Sequence, residues 1–235
     1  MLEKLAKQTA VYGISTIAVR FLSYLLTPVF TRVFEPEAYG IVTDVYALIP
    51  FALVVLTMGL ESAYFRFAAK ADAAAAAAGG TEGEIAARAR AGKRRLFATA
   101  WGVTLLAASL FFLLTAFGRE RVAEWMGEAY VAHPEYVLLV AAVVWFDVAA
   151  CLPFSRLREQ SRAMTFVGIK ALGVVVNVAL AIGFALAGLY GTPFGVGWVF
   201  VANLIASAVT FNVILLTTDR TVPRIDRRLL AAVLL

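Results

Sequence analysis

Residues 9–31 read TAVYGISTIAVRFLSYLLTPVFT, and the only charged residue among them is Arg20. At ~1.5 Å per residue the stretch covers roughly 33 Å, enough to cross the hydrocarbon core of a bilayer. Arg20 then lies about 16 Å from either end, farther than its side chain can snorkel. A central arginine costs on the order of 3 kcal/mol on insertion scales, so it turns to protein, water or a ligand rather than to lipid.

The neighbours of Arg20 narrow this choice. At 100° per residue, Thr9, Gly13, Thr16, Ser23, Tyr24, Thr27 and Thr31 all fall within about 60° of it, while Val11, Ile14, Ala18, Leu22, Leu25 and Val29 take the other side. The span has a polar stripe and a lipid-facing stripe. Two roles suit such a stripe: a seam that glues the helix to its neighbours, or one wall of a hydrated cavity.

The rest of the chain agrees with a membrane setting. Of 235 residues 62% are hydrophobic and 16% charged, and the mean hydropathy is +0.83, well outside soluble-domain composition. The net charge of +5 does not point to nucleic acid, because the basic residues fall mostly between hydrophobic spans. A lone cysteine, Cys151, sits in an apolar run as a small hydrophobe and excludes an internal disulfide framework. No small-x-small cleavage site closes the first apolar segment, so it is expected to stay as an anchor.

Six spans are expected: about 9–31, 39–61, 96–117, 136–154, 164–187 and 195–216. The second contains Asp44, a kinking Pro50 and, near its end, Glu61. Residues 66–95 hold an alanine run, Gly79-Gly80 and then Arg88, Arg90, Lys93, Arg94 and Arg95. The alanines could form a helix, but without an apolar stripe the segment is expected to be a mobile surface loop whose basic cluster meets anionic head groups. Trp101 is expected as an interfacial anchor of the third span. The fourth span carries Asp147 near mid-membrane, and the fifth aligns Lys170, Gly173 and Asn177, with Lys170 close enough to one end to snorkel. Asn203, Ser207 and Thr210 share a side of the sixth. Residues 218–235 read as a linker with four arginines and the start of a truncated seventh span, LLAAVLL.

Sixteen of the 21 lysines and arginines fall in segments on one side of this arrangement, and only Arg32, Arg119 and Arg121 on the other. The positive-inside rule then puts both termini in the cytoplasm. The fold class is an all-α polytopic membrane protein.

The chemistry of a soluble enzyme is missing from the sequence, which has no phosphate loop, no HExxH, no cysteine pair and no nucleophile elbow. His133 stands alone, so no metal site and no cofactor are expected. What remains is a set of ionisable groups at membrane depth: Arg20, Asp44 and Asp147, with Glu61, Arg66 and Lys170 toward the cytoplasmic ends. They either pair structurally, as Arg20 with Asp147 at similar depth, or line a path for a charged substrate or coupling ion.

Three elements carry a family resemblance: LAKQTAVYGIST at the start; FEPEAYGIVTDVYAL followed by MGLESAYFRF; and PFSRLREQSRAMTF leading into KALGVVVNVALAIGF. In their order and spacing the chain resembles the N-terminal half of lipid-linked oligosaccharide flippases of the MOP superfamily, in the polysaccharide-biosynthesis (O-antigen) branch. The resemblance implies a six-helix lobe that pairs with a second six-helix lobe around an alternating-access cavity in the bacterial inner membrane. It implies a lipid-pyrophosphate-linked glycan as substrate, with Arg20 as the cationic contact and Thr16, Ser23, Tyr24, Thr27 and Asn177 beside it. Asp44, Glu61, Asp147 and Lys170 take ion-coupling or structural pairing roles. The chain stops where a second lobe would begin, so that lobe is expected from a missing C-terminal half or a partner chain. A cation-coupled multidrug exporter of the same superfamily, a non-transporting membrane scaffold and a lipid-modifying enzyme stand as alternatives.

Overall fold

The computed structural model describes residues 26–218 together with 221, 223, 225, 226 and 229. The expectations placed on Thr16, Arg20, Ser23 and Tyr24, and on the seventh span beyond residue 229, lie outside these residues. Among the described residues every regular element is helical. Five helical stretches are long and apolar enough to cross a membrane.

In chain order the helices are α1 (Thr27–Val33), α2 (Pro36–Thr57), α3 (Leu60–Ala77), α4 (Glu82–Phe117), α5 (Arg119–Met126), α6 (Glu128–Val131), α7 (Glu135–Glu159), α8 (Ala163–Leu186) and α9 (Gly197–Thr217), with a 3₁₀ turn at Leu189–Gly191 before α9. α2 starts on Pro36, where a missing N–H is harmless and φ is already helical. It ends at Met58 and Gly59, both left-handed at φ 48° and 68°. The expected second span of 39–61 is thereby corrected: two consecutive left-handed residues interrupt the helix, and Glu61 belongs to the next one.

The expected loop over 66–95 is also corrected. Apart from a turn at 78–81 these residues are helical, and α4 is a single helix of 36 residues, ~54 Å long. Alanine is the strongest helix former, and Gly79 and Gly80 supply the positive φ of the turn. Thr81 and Glu84 form a reciprocal capping box at the start of α4. Arg88 Nη1 donates to the Gly79 carbonyl across 2.7 Å. The α3–α4 hairpin packs through small residues, so closely that a Cβ on Gly92 would sit 3.3 Å from that of Ala71. Between residues 66 and 95 its buried positions, Ala68, Ala75 and Ala89, are all small and lack the large residues by which amphipathic helices are recognised.

α7 is the most buried of the five candidate spans and α8 the least. α7 packs against α4, α9, α2, α3 and α8. The core lies in three storeys along it: Leu60, Tyr64, Phe97, Leu152 and Leu157 toward the Leu60 end, Ala108, Val144 and Val148 in the middle, and Val42, Tyr136, Tyr190 and Phe200 toward the Pro36 end. Trp101, expected at an interface, is instead buried in the first storey, its Nε1 donating to the Ala149 carbonyl across 2.9 Å. α8 and α9 approach so closely at Gly173 that any Cβ there would collide with Thr210 Oγ1.

Candidate functional site

On α7, Asp147, Cys151, Phe154 and Arg158 stand at i, i+4, i+7 and i+11, one face of a helix over ~16 Å. Three neighbouring helices supply their partners. Asp147 shares a side-chain hydrogen bond with Ser207 of α9, and the nearest opposing charge acting on it is Lys170 of α8. Lys170 Nζ stands 4.2 Å from the centroid of the Phe154 ring. The Cys151 thiol donates to Glu61 Oε2 of α3 at 3.5 Å. Glu61 forms an ion pair with Arg158, whose Nη2 also donates to Ser155 Oγ at 3.2 Å. The Arg158 guanidinium lies 5.4 Å from the Phe65 ring and 5.7 Å from that of Phe166, the separations at which a cation is attracted by an aromatic face.

The result is a ladder of alternating charge, Asp147, Lys170, Glu61 and Arg158, running from the middle of α7 to its end. The charges cancel, so the ladder is tolerated at membrane depth, where an isolated charge would be expelled. It is also reachable. Lys170 is exposed, Asp147 and Cys151 are half-buried, and the side chains of Glu61 and Arg158 each keep 35% of their accessible surface. Among the described residues no group of three or more His, Cys, Asp or Glu is placed to hold a metal ion.

Among the expected site residues the structure brings Glu61, Asp147 and Lys170 together. Asn177 shares a side-chain hydrogen bond with Tyr46 of α2, about 10 Å from Lys170 along the same face of α8. Asp44 is exposed and lies near Tyr130 at the Pro36 end, away from the ladder. Its charge, second to burial, pushes the Tyr130 phenol up to about 12. Thr27 is exposed, its carbonyl accepting from Thr31 Oγ1 at 3.0 Å. Lys170, expected to snorkel to the interface, instead turns to Phe154 because a ring face and a carboxylate lie within reach.

The family described as "Polysaccharide biosynthesis protein" matches residues 5–229, nearly the whole chain. The chain belongs to that family. Its members are MOP-superfamily polysaccharide and O-antigen flippases, and the apolar helices make this one a multi-pass membrane protein of flippase type. No curated protein and no solved structure matches the chain.

Within this polysaccharide-biosynthesis family member, sequence reasoning missed Arg158 and Cys151. Arg158 looked like the positive end of a span, and Cys151 like a small hydrophobe. The signal was present in the four-residue, three-residue and four-residue intervals from Asp147 to Arg158, which place them on one face with the mid-membrane carboxylate.

Proposed function

We propose that the chain is one lobe of a flippase that moves a lipid-pyrophosphate-linked oligosaccharide across the bacterial inner membrane by alternating access, with a second lobe completing the cavity. The observation that carries this reading is the partly exposed ladder of both signs along one face of α7, completed by Lys170 of α8 and Glu61 of α3, in a polysaccharide-biosynthesis family member. Intramembrane charge of this kind lines substrate and ion pathways.

Arg20, with Thr16, Ser23, Tyr24 and Thr27 on its face of the first span and Asn177 on α8, contacts the anionic head of the substrate. Asp147, Lys170 and Glu61 exchange partners as the coupling ion enters and leaves, and Asp44 contributes an acid at the far end. The charged Leu60 end faces the cytoplasm. Among the described residues it holds Arg66, Lys70, Arg88, Arg90, Lys93, Arg94, Arg95, Arg156, Arg158 and Arg162, against Arg32, Arg119 and Arg121 at the Pro36 end.

The test is export of surface polysaccharide by the full-length gene in a strain lacking its own flippase. Arg20→Ala and Lys170→Ala should each abolish export while leaving the protein in the membrane. Wild-type export by both variants would sink the proposed roles.

A further inference from the structure

We propose that the stretch after α9 is a strap, latched by Arg156, that closes over the Leu60 end of α7 and lifts without unfolding the bundle. α4 and α9 both pack on α7, and the strap joins their ends. Its anchors follow in chain order. Arg162, the N-cap of α8, donates through Nη1 to the Thr217 carbonyl across 2.8 Å. Thr218 then leaves α9 with extended backbone at φ −100° and ψ 144° and is buried. Arg156 Nη1 of α7 donates to Thr221 Oγ1 across 2.8 Å. The Asp226 N–H donates to Thr99 Oγ1 of α4 at 3.4 Å. Asp226 Oδ1 in turn accepts from the Leu229 N–H at 3.4 Å, and Leu229 packs against the first storey of the core. The anchors thus visit α8, α7 and α4, where residues 218–235 were expected to be a linker.

Arg156 makes this a latch. Only 7% of it is exposed, and its guanidinium lies 4.5 Å from the Phe97 ring of α4. A cation that has lost its water depends on acceptors for its donors, and Thr221 meets one of them with a charge-assisted bond. At 100° per residue, Arg156 and Arg158 point about 160° apart on α7. The ladder therefore takes one face of the helix and the strap the opposite one. On the flippase reading, on which this consequence rests, the Arg158–Glu61 pair exchanges partners while the back of α7 stays fastened to α4. The fastening is also light. Pro223, Ile225 and Asp226 are exposed and Leu229 is half-buried, and the bond from Asp226 to Thr99 is long. A segment with so few buried apolar contacts opens at a lower free energy than the bundle. Lifting it uncovers Thr99, which is 3% exposed beneath it.

Two cysteine substitutions on α4 separate strap from bundle. Thr99→Cys reports the strap, and Thr104→Cys, at a position 0% exposed on the same helix, reports the bundle. The full chain in detergent is treated with a maleimide, and the reaction of Cys151, measured in the chain without either substitution, is subtracted. Both new thiols should react slowly in the otherwise unaltered protein. Thr221→Val, which keeps the side-chain volume and removes the acceptor, should raise the Thr99→Cys rate on the order of tenfold and leave the Thr104→Cys rate within about twofold. Arg156→Gln should do the same, and Thr221→Val stands alone if the loss of Arg156 prevents folding. Three results overturn the proposal. Fast labelling of Thr99→Cys with Arg156 and Thr221 intact means that the strap is not seated. An unchanged rate in Thr221→Val means that Arg156 is not the latch. A parallel rise at Thr104→Cys means that the bundle itself has opened. The readout involves no transport, so a failed strap leaves the flippase reading standing, and failed export leaves the strap standing.

Discussion

The two ends of this helical bundle are fastened by different chemistry. At the Leu60 end the bonds are ionic and cation–π. Glu61 meets Arg158, Lys93 bridges Asp72 and Glu159, and Arg156 lies 4.5 Å from the Phe97 ring. At the Pro36 end the bonds that join helices are mainly neutral and aromatic, and the ionisable pair there, His133 Nδ1 with Glu135 Oε1 at 2.9 Å, is local to one turn. Tyr136 donates to the Phe194 carbonyl across 2.7 Å, Tyr190 to that of Ala181 across 2.9 Å, and Tyr190 packs on Phe34 with ring centroids 4.9 Å apart. Neutral bonds hold at any physiological pH and salt, whereas charged ones exchange partners when a proton, an ion or a phosphate arrives. One end of the bundle is thus held mainly by bonds indifferent to salt and physiological pH, and the other by bonds that respond to both.

The largest expected effect tests the Pro36 end. Tyr190→Ala removes a ring contacting Phe30 and Phe34 together with a buried hydrogen bond, and should lower stability by about 3 kcal/mol, read as a fall in melting temperature in detergent. A smaller effect is expected at the Leu60 end. Arg158→Ala strands Glu61 and uncovers two rings, but both partners are one-third exposed, so the loss should be about 1 to 2 kcal/mol. A double-mutant cycle with Glu61→Gln should recover roughly half of it as coupling. An additive cycle would mean that the ion pair does not join the helices.

Tyr136→Phe should cost about 1 kcal/mol, and the cost should be the same in low and high salt. Lys93→Gln should cost less, and its cost should vanish in high salt, since its ammonium is screened. A salt-dependent Tyr136→Phe or a salt-insensitive Lys93→Gln would erase the distinction between the ends.

The smallest effect is alkaline. Burial and then the Asp44 charge raise the Tyr130 phenol from 10.0 to about 12. Its contribution is complete below pH 10 and disappears as the pH climbs toward 12. Lys93 is also raised, from 10.5: burial alone would lower it, but the hydrogen bonds its ammonium donates to Asp72 and Glu159 prevail. Its contribution is likewise complete below pH 10.5 and lost above the folded-state value. Between pH 9 and 12 the melting temperature of wild type should fall more steeply than that of Tyr130→Phe. Parallel curves would show that Tyr130 ionises freely.

The five membrane-length helical stretches were legible because each contains a run of about twenty apolar residues, a signal that no neighbouring element has to confirm. The α3–α4 hairpin was not. Beyond the Tyr64–Phe97 contact its interface is made of alanine and glycine, whose message is close approach rather than hydrophobicity, and close approach is visible only once Ala71 and Gly92 are seen face to face. The site was legible by residue type and illegible by partner. Asp147 and Lys170 stand out as charges in apolar runs, yet nothing in their spacing shows that Lys170 would turn inward to Phe154 or that Asp147 would take Ser207. Those pairings depend on how three helices are rotated against one another. Glu61 was assigned to the wrong helix because a left-handed methionine, Met58, has no sequence signature.

That interruption has a mechanical meaning. An unbroken α-helix carries torque along its ladder of i to i−4 hydrogen bonds, and at Met58–Gly59 the ladder stops. Beyond the gap, Glu61 ties α3 to α7 through Arg158, and Lys93 ties α4 to α7 through Glu159. A twist applied to the hairpin therefore passes into α7, separated from it in sequence by α5 and α6, rather than into α2, to which the hairpin is covalently joined.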